Sequence, residues 1–106
     1  MADHPLDRLY RTIVSRKGGD VTKSYTALLL KEGPARCAKK FGEEAVEVAL
    51  AAVVKDKRAL TEESADVLYH LLVVWASCGV RPKDVYASLA AREERSGLAE
   101  KATRKK

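Results

Sequence analysis

Two short acidic stretches are the part of this sequence best placed to do chemistry. Residues 42–47, GEEAVE, carry Glu43, Glu44 and Glu47, and residues 63–66, ESAD, carry Glu63 and Asp66. On a helical wheel Glu44 lies about 100° and Glu47 about 40° from Glu43, with Lys40 at about 60° among them. Glu63 and Asp66 stand at i and i+3 and share a face with His70, so they are neighbours on one side of a helix. Like charges one turn apart destabilise an exposed helix by about a few tenths of a kcal/mol, and by more where water is scarce. Each acidic set borders an apolar run, VALAAVV at 48–54 and LLVVWA at 71–76. If the two helices pack side by side, five carboxylates converge and something must neutralise them. Oxygen-only ligands suit a hard cation. Mg2+ takes octahedral oxygen geometry and is commonly shared between carboxylates and substrate phosphates, with Mn2+ as the alternative. Cys37 and Cys78 form no CxxC pair, so no zinc cluster competes. The plainer reading is a set of solvated glutamates paired with Lys39, Lys40, Lys57 and Arg58. It suits any single Glu, but not five at EExxE and ExxD spacing beside apolar helix.

The elements that must position these residues all read as helices. Leu6, Leu9, Tyr10, Ile13 and Val14 fall at i, i+3, i+4, i+7 and i+8, the spacing of one apolar helical face. Asp3 is the expected cap of that helix, Pro5 fits its first turn, and Gly18-Gly19 ends it. Ser24 is set to cap a short helix, YTALLLKE, which stops at Gly33-Pro34. Pro34 opens a long helix to about residue 55, and Asp56 is a cap for a second long helix to about residue 77, ending near Gly79. Pro82 opens a last helix that ends at Gly97. The two long helices are apolar nearly all round, which is the pattern of buried helices. A chain of 106 residues can hardly surround two of them. The expected architecture is therefore all-α, with about five helices, the two long ones at the centre of a homo-oligomeric bundle, dimeric or larger.

Composition agrees with one globular domain, expected over residues 1–97: 46% of residues are hydrophobic and 33% charged. The formal net charge is +5. Three of those charges fall between Arg92 and Lys106, where six Lys/Arg face three Glu. Residues 98–106 read as a basic tail. The rest carries only +2, which argues against nucleic acid as the partner. No basic start followed by an apolar run marks a signal peptide, and no apolar run is long enough for a bilayer. Two isolated cysteines suit free thiols in a reducing, cytoplasmic setting.

GEEAVE followed by ESAD resembles the EExxE and ExxD pair of the all-α nucleoside triphosphate pyrophosphohydrolase superfamily, the MazG-like proteins. Their surroundings sharpen the likeness. SYT at 24–26, KKFGEEAVEVALAA at 39–52, ESADVLYHLLVV at 63–74 and, less specifically, SLAAR at 88–92 together resemble the phosphoribosyl-ATP pyrophosphohydrolase family. Phe41 stands where that family more usually has Val or Ile, a change of core side chain only. The resemblance implies hydrolysis of phosphoribosyl-ATP to phosphoribosyl-AMP and pyrophosphate, the second step of histidine biosynthesis. The family's next enzyme, a cyclohydrolase, is sometimes fused on; this chain has no cysteine set for its zinc site and is expected to be the stand-alone enzyme.

On this reading Glu44, Glu47, Glu63 and Asp66 are the metal ligands, and Glu43 is an outer ligand, the group that positions water, or a neighbour on the helix flank. Lys40, and less so Lys39, are the cations nearest the phosphates. Gly42 would let a phosphate or a neighbouring helix approach closely, or mark a packing contact. The resemblance places Ser24, Tyr25 and Thr26 near the substrate; read alone they are a helix cap and a half-buried aromatic. His70 either hydrogen-bonds Asp66 one turn away or is a core histidine, and Arg92 reaches a phosphate in the next subunit or stays on the surface. Two rivals remain: a house-cleaning (d)NTP pyrophosphatase of the same superfamily, and a basic helical module that binds a partner or nucleic acid and performs no reaction.

Overall fold

A computed structural model describes residues 4–93, and every regular element among them is a helix. The order is α1 (Pro5–Ser15), α2 (Tyr25–Glu32), α3 (Pro34–Val53), α4 (Lys57–Cys78) and α5 (Pro82–Glu93). The expected end of the last helix at Gly97, the basic segment 98–106 and Asp3 lie outside the described residues.

Local chemistry explains most of the boundaries. Pro5 is the first helical residue of α1, so the capping position falls on His4, whose Nδ1 accepts from the Leu6 amide at 3.1 Å. Asp3, the expected cap, is one residue too early for that role. Ser24 caps α2 through its hydroxyl, which accepts from the Ala27 amide at 3.0 Å. Asp56 caps α4 in the same way, accepting from Ala59 at 3.0 Å. Gly33 at φ 96° separates α2 from α3, and Gly79 at φ 74° closes α4 in the left-handed conformation that glycine adopts without strain. α3 ends earlier than expected, at Val53. Residue 55, the expected end of α3, is instead a left-handed Lys55 at φ 60° that turns the chain straight into Asp56.

That tight turn makes α3 and α4 an antiparallel hairpin, the main packing unit of the fold. α1 packs on α4, α2 lies across the hairpin, and α5 returns to α1. The Tyr86 hydroxyl donates to the Asp7 carboxylate at 3.0 Å, and the Tyr10 hydroxyl to the Val80 carbonyl at 2.8 Å. The core is built on Ile13, Leu29, Cys37, Leu72 and Val73, with Leu6, Leu9, Tyr10, Leu30, Tyr69, Val74, Trp75 and Ala76 around it. No helix among the described residues is long and apolar enough to cross a membrane.

The two long helices are not buried all round within one chain. α3 turns Cys37 and Ala51 inward, with Phe41, Glu44 and Val48 half-buried on the same stripe. Val46, Leu50 and Val53 lie on the opposite side of the wheel and are 57%, 56% and 77% exposed, with Val54 beside them at 71%. On α4, Leu68 is 42% exposed. Part of the apolar surface expected at the centre of an assembly, Val46, Leu50, Val53 and Val54 on and just after α3 and Leu68 on α4, is thus exposed on the single chain, while Leu72 is buried within it.

Candidate active site

The inner stripe of α3 changes character at Glu44. Apolar at Cys37, Phe41, Val48 and Ala51, it carries one carboxylate, which faces α4. The matching stripe of α4 runs Glu63, Asp66, His70, Val73 and Ser77, acidic near the hairpin turn and free of acids beyond it. Antiparallel packing sets the register. Ser77 lies beside the Cys37 thiol, and Glu44 meets Glu63 and Asp66. The three carboxylates each place an oxygen within 4.8 Å of the others.

Glu63 registers the crowding. Its pKa is raised above the usual carboxylate range, first by loss of water and then by the negative charges of Glu44, Asp66, Glu47 and Glu62. The donor set fits one hard divalent cation: it is all oxygen, carries three negative charges, and contains no His or Cys. A cation there would remove the repulsion that perturbs Glu63.

The other two acids stand apart for a geometric reason. Glu47 lies about 60° and Glu43 about 100° round the wheel from Glu44, and both are exposed. Glu47 stays close enough to act on Glu63, on the rim of the cluster. Glu43 turns to Lys40, pairing with its ammonium at 3.2 Å. Lys40 holds the Glu43 carboxyl below its ordinary value by hydrogen bond and charge, and Glu43 in turn raises Lys40. Glu43 is therefore a firmly ionised partner of a cation, outside the group of three.

The remaining candidates divide between the site and its supports. Tyr25, 49% exposed, stands edge-on to the His70 ring with centroids 6.2 Å apart and close enough to Lys40 to act on it. Ser24 spends its hydroxyl on the α2 cap. Thr26 is hydrogen-bonded to the Tyr69 hydroxyl. That pair ties the start of α2 to α4; periodicity carries no sign of it, because Tyr69 falls on a different side of α4 from His70. Lys39 is exposed on α3. Arg92 sits in the last described turn of α5, on a helix that packs against α1. A Cβ at Gly42 would meet nothing within 4 Å among the described residues, so none of the five described helices packs on it. A separate recess of about 480 Å3, lined by Lys17, Gly18, Gly19, Val21, Ala27, Leu30 and Lys31, contains none of the five acids.

Comparison with known proteins covers the same ground. The sequence profile of a family described as phosphoribosyl-ATP pyrophosphohydrolase matches residues 6–93. A phosphoribosyl-ATP pyrophosphatase of Azospirillum brasilense is 55% identical over 100 residues, 94% of this chain and 90% of its own length. One from Roseobacter denitrificans is 57% identical over 96 residues, 91% of each chain. One from Paramagnetospirillum magneticum is 55% identical over 101 residues, 95% of this chain and 93% of its own. The matched region takes in the five described helices but for Pro5, and every acidic residue of the site, and the chain belongs to the phosphoribosyl-ATP pyrophosphohydrolase family.

Proposed function

We propose that this chain hydrolyses phosphoribosyl-ATP at the α–β phosphoanhydride, giving phosphoribosyl-AMP and pyrophosphate, as the second step of histidine biosynthesis. The observation that carries the reading is the convergence of Glu44, Glu63 and Asp66 from two helices in a chain that belongs to this family along nearly its whole length. Cleaving a phosphoanhydride demands charge compensation on the phosphates and a water held in line with the leaving pyrophosphate. Glu44, Glu63 and Asp66, with Glu47 on the rim, would hold Mg2+, or Mn2+ in its place. When bound, such a cation neutralises phosphate charge and gives water a defined position.

The chain's own groups do the rest. Lys40, fixed against Glu43, presents positive charge beside the cluster, with Lys39 on the next position and Arg92 as a more distant phosphate contact. Glu47 and the ionised Glu43 are the acceptors available to orient water. Tyr25 offers a ring to the nucleoside, while Ser24 and Thr26 hold the start of α2 in place. The apolar face of α3 is covered by a second copy of the chain, which stiffens the hairpin that aligns the carboxylates. Val46, Leu50, Val53, Val54 and Leu68 together leave roughly three side chains' worth of apolar surface open. Two copies burying it gain about 10 kcal/mol, of the size association has to offset. The setting proposed is the cytoplasm, where phosphorylated intermediates and free thiols are kept.

The test is pyrophosphate release from phosphoribosyl-ATP, with and without Mg2+, by the parent and by Glu47→Gln and Glu63→Gln. Metal-dependent release by the parent and its loss in Glu63→Gln are expected. Release from dCTP or dUTP with phosphoribosyl-ATP left intact would instead identify a house-cleaning enzyme.

A further inference from the structure

Among the described residues, His70 is the buried group beside the carboxylates whose polar chemistry is unfinished. Its side chain is only 6% exposed. Nδ1 is buried with no hydrogen-bond partner among the described residues. Its ring is fixed edge-on between Tyr69, centroid 4.9 Å away, and Tyr25. Buried polar atoms almost always have a partner, so an orphan next to an acidic cluster calls for an explanation.

The direction of the side chains supplies one. On an α-helix the Cα–Cβ bonds tilt toward the N-terminus. α3 and α4 run antiparallel, and the pairing of Cys37 with Ser77 and of Glu44 with Asp66 puts the turn of Lys40 level with His70. Glu44 therefore leans toward His70, and His70 leans back toward Glu44. Asp66, on the same helix as His70 and one turn earlier, leans away. We propose that His70 is a positioning residue: its Nδ1–H, unpartnered among the described residues of the single chain, takes up the Glu44 carboxylate when a divalent cation is held at Glu44, Glu63 and Asp66, and sets that carboxylate in the orientation the ion requires. The inference rests on the metal reading of that cluster.

The electrostatics agree. Burial is the largest influence on His70 and lowers its pKa; Glu44 is the strongest of the opposing carboxylates, ahead of Asp66 and Glu43, and Lys40 acts with burial. A neutral imidazole has one N–H to give, and a carboxylate facing Nδ1 selects the tautomer that places it there. Partners of this kind typically change metal affinity by about 10–100-fold when removed.

The experiment titrates Mn2+ into the parent, His70→Leu and His70→Asn by calorimetry, and follows thermal unfolding of each with and without the ion. Asn places an amide near the Nδ1 position; Leu offers no donor. His70→Leu is expected to unfold no earlier than the parent in the absence of metal, because it removes an unpartnered buried polar atom. It should bind Mn2+ about 10–100-fold more weakly, and His70→Asn should recover most of that loss. In a Glu44→Gln background, His70→Leu should add less than about a twofold further loss, the signature of two residues acting as one unit. Unchanged Mn2+ affinity in His70→Leu, with earlier unfolding in the metal-free protein, would overturn the proposal in favour of a core histidine. Full additivity with Glu44→Gln would overturn the assignment of Glu44 as the partner. A parent that binds no Mn2+ would overturn the metal reading and this inference together, whereas a parent that binds it leaves the two separately judged.

Discussion

Leu50→Glu tests the outer face of α3 most directly. Leu50 is 56% exposed, so covering it in an assembly buries about half a leucine, worth about 1 kcal/mol per copy. The substitution removes that gain in both copies of a symmetric pair. It also sets two unpaired carboxylates against apolar surface, a desolvation penalty of about several kcal/mol unless the interface opens. Together these weaken association by at least about 4 kcal/mol, roughly a thousandfold in the dissociation constant. The same residue contributes little to the single chain, because an exposed position away from caps and core changes stability by about 0.5 kcal/mol or less. Sedimentation or light scattering across a range of protein concentrations should show the parent as an oligomer and Leu50→Glu as a monomer. The melting temperature of the parent should rise with concentration, and that of the variant should not. A parent that is monomeric throughout, or a variant that keeps the parent's assembly, would refute the reasoning that a second copy covers this face.

Glu63→Gln removes a charge disfavoured first by loss of water and then by the neighbouring carboxylates, so the metal-free protein should melt no lower than the parent while metal-dependent turnover falls by about a hundredfold or more; a fall in melting temperature would mean that the cluster is stabilised by something other than a cation. Tyr69→Phe breaks the hydrogen bond that ties Thr26 to α4 and should destabilise the fold by about 1 kcal/mol, with Thr26→Val adding less than its own separate effect in a double-mutant cycle. Gly42→Ala meets no steric obstacle and should stabilise α3 by about 0.5–1 kcal/mol; lost turnover with retained stability would mean that substrate passes close to that backbone. Under native conditions a thiol reagent should modify Cys78 quickly. Cys37 is buried, donates to the Leu29 carbonyl at 3.2 Å, and has its pKa raised chiefly by burial, so it should react only on unfolding.

Much of this protein is legible without coordinates. Caps at Ser24 and Asp56, prolines at 5, 34 and 82, and glycines at 33 and 79 are local signals that act over one turn, and they place the helices to within a residue or two. Helical periodicity likewise puts Glu63, Asp66 and His70 on one face before any packing is known. The acidic spacings, with their neighbouring motifs, also carry the likeness to the family that the comparisons confirm.

What periodicity leaves open is rotation and register, because both depend on the partner helix. Along the chain Glu44, Glu47, Glu63 and Asp66 read as ligands and Glu43 stands between roles; packing makes Glu44 the one residue of its trio on the inner stripe, leaves Glu47 on the rim and gives Glu43 to Lys40. The resemblance sets the SYT stretch near substrate, whereas read alone Ser24 is a helix cap; Ser24 is that cap, and Thr26 is held by Tyr69, a residue distant in sequence. His70 was balanced between two roles that only its surroundings separate: burial at 6% with an orphaned Nδ1 is a property of three helices meeting. Local interactions determine where helices begin, end and carry charge. Which charges meet is decided by how the helices pack, since that alone sets distance and access to water.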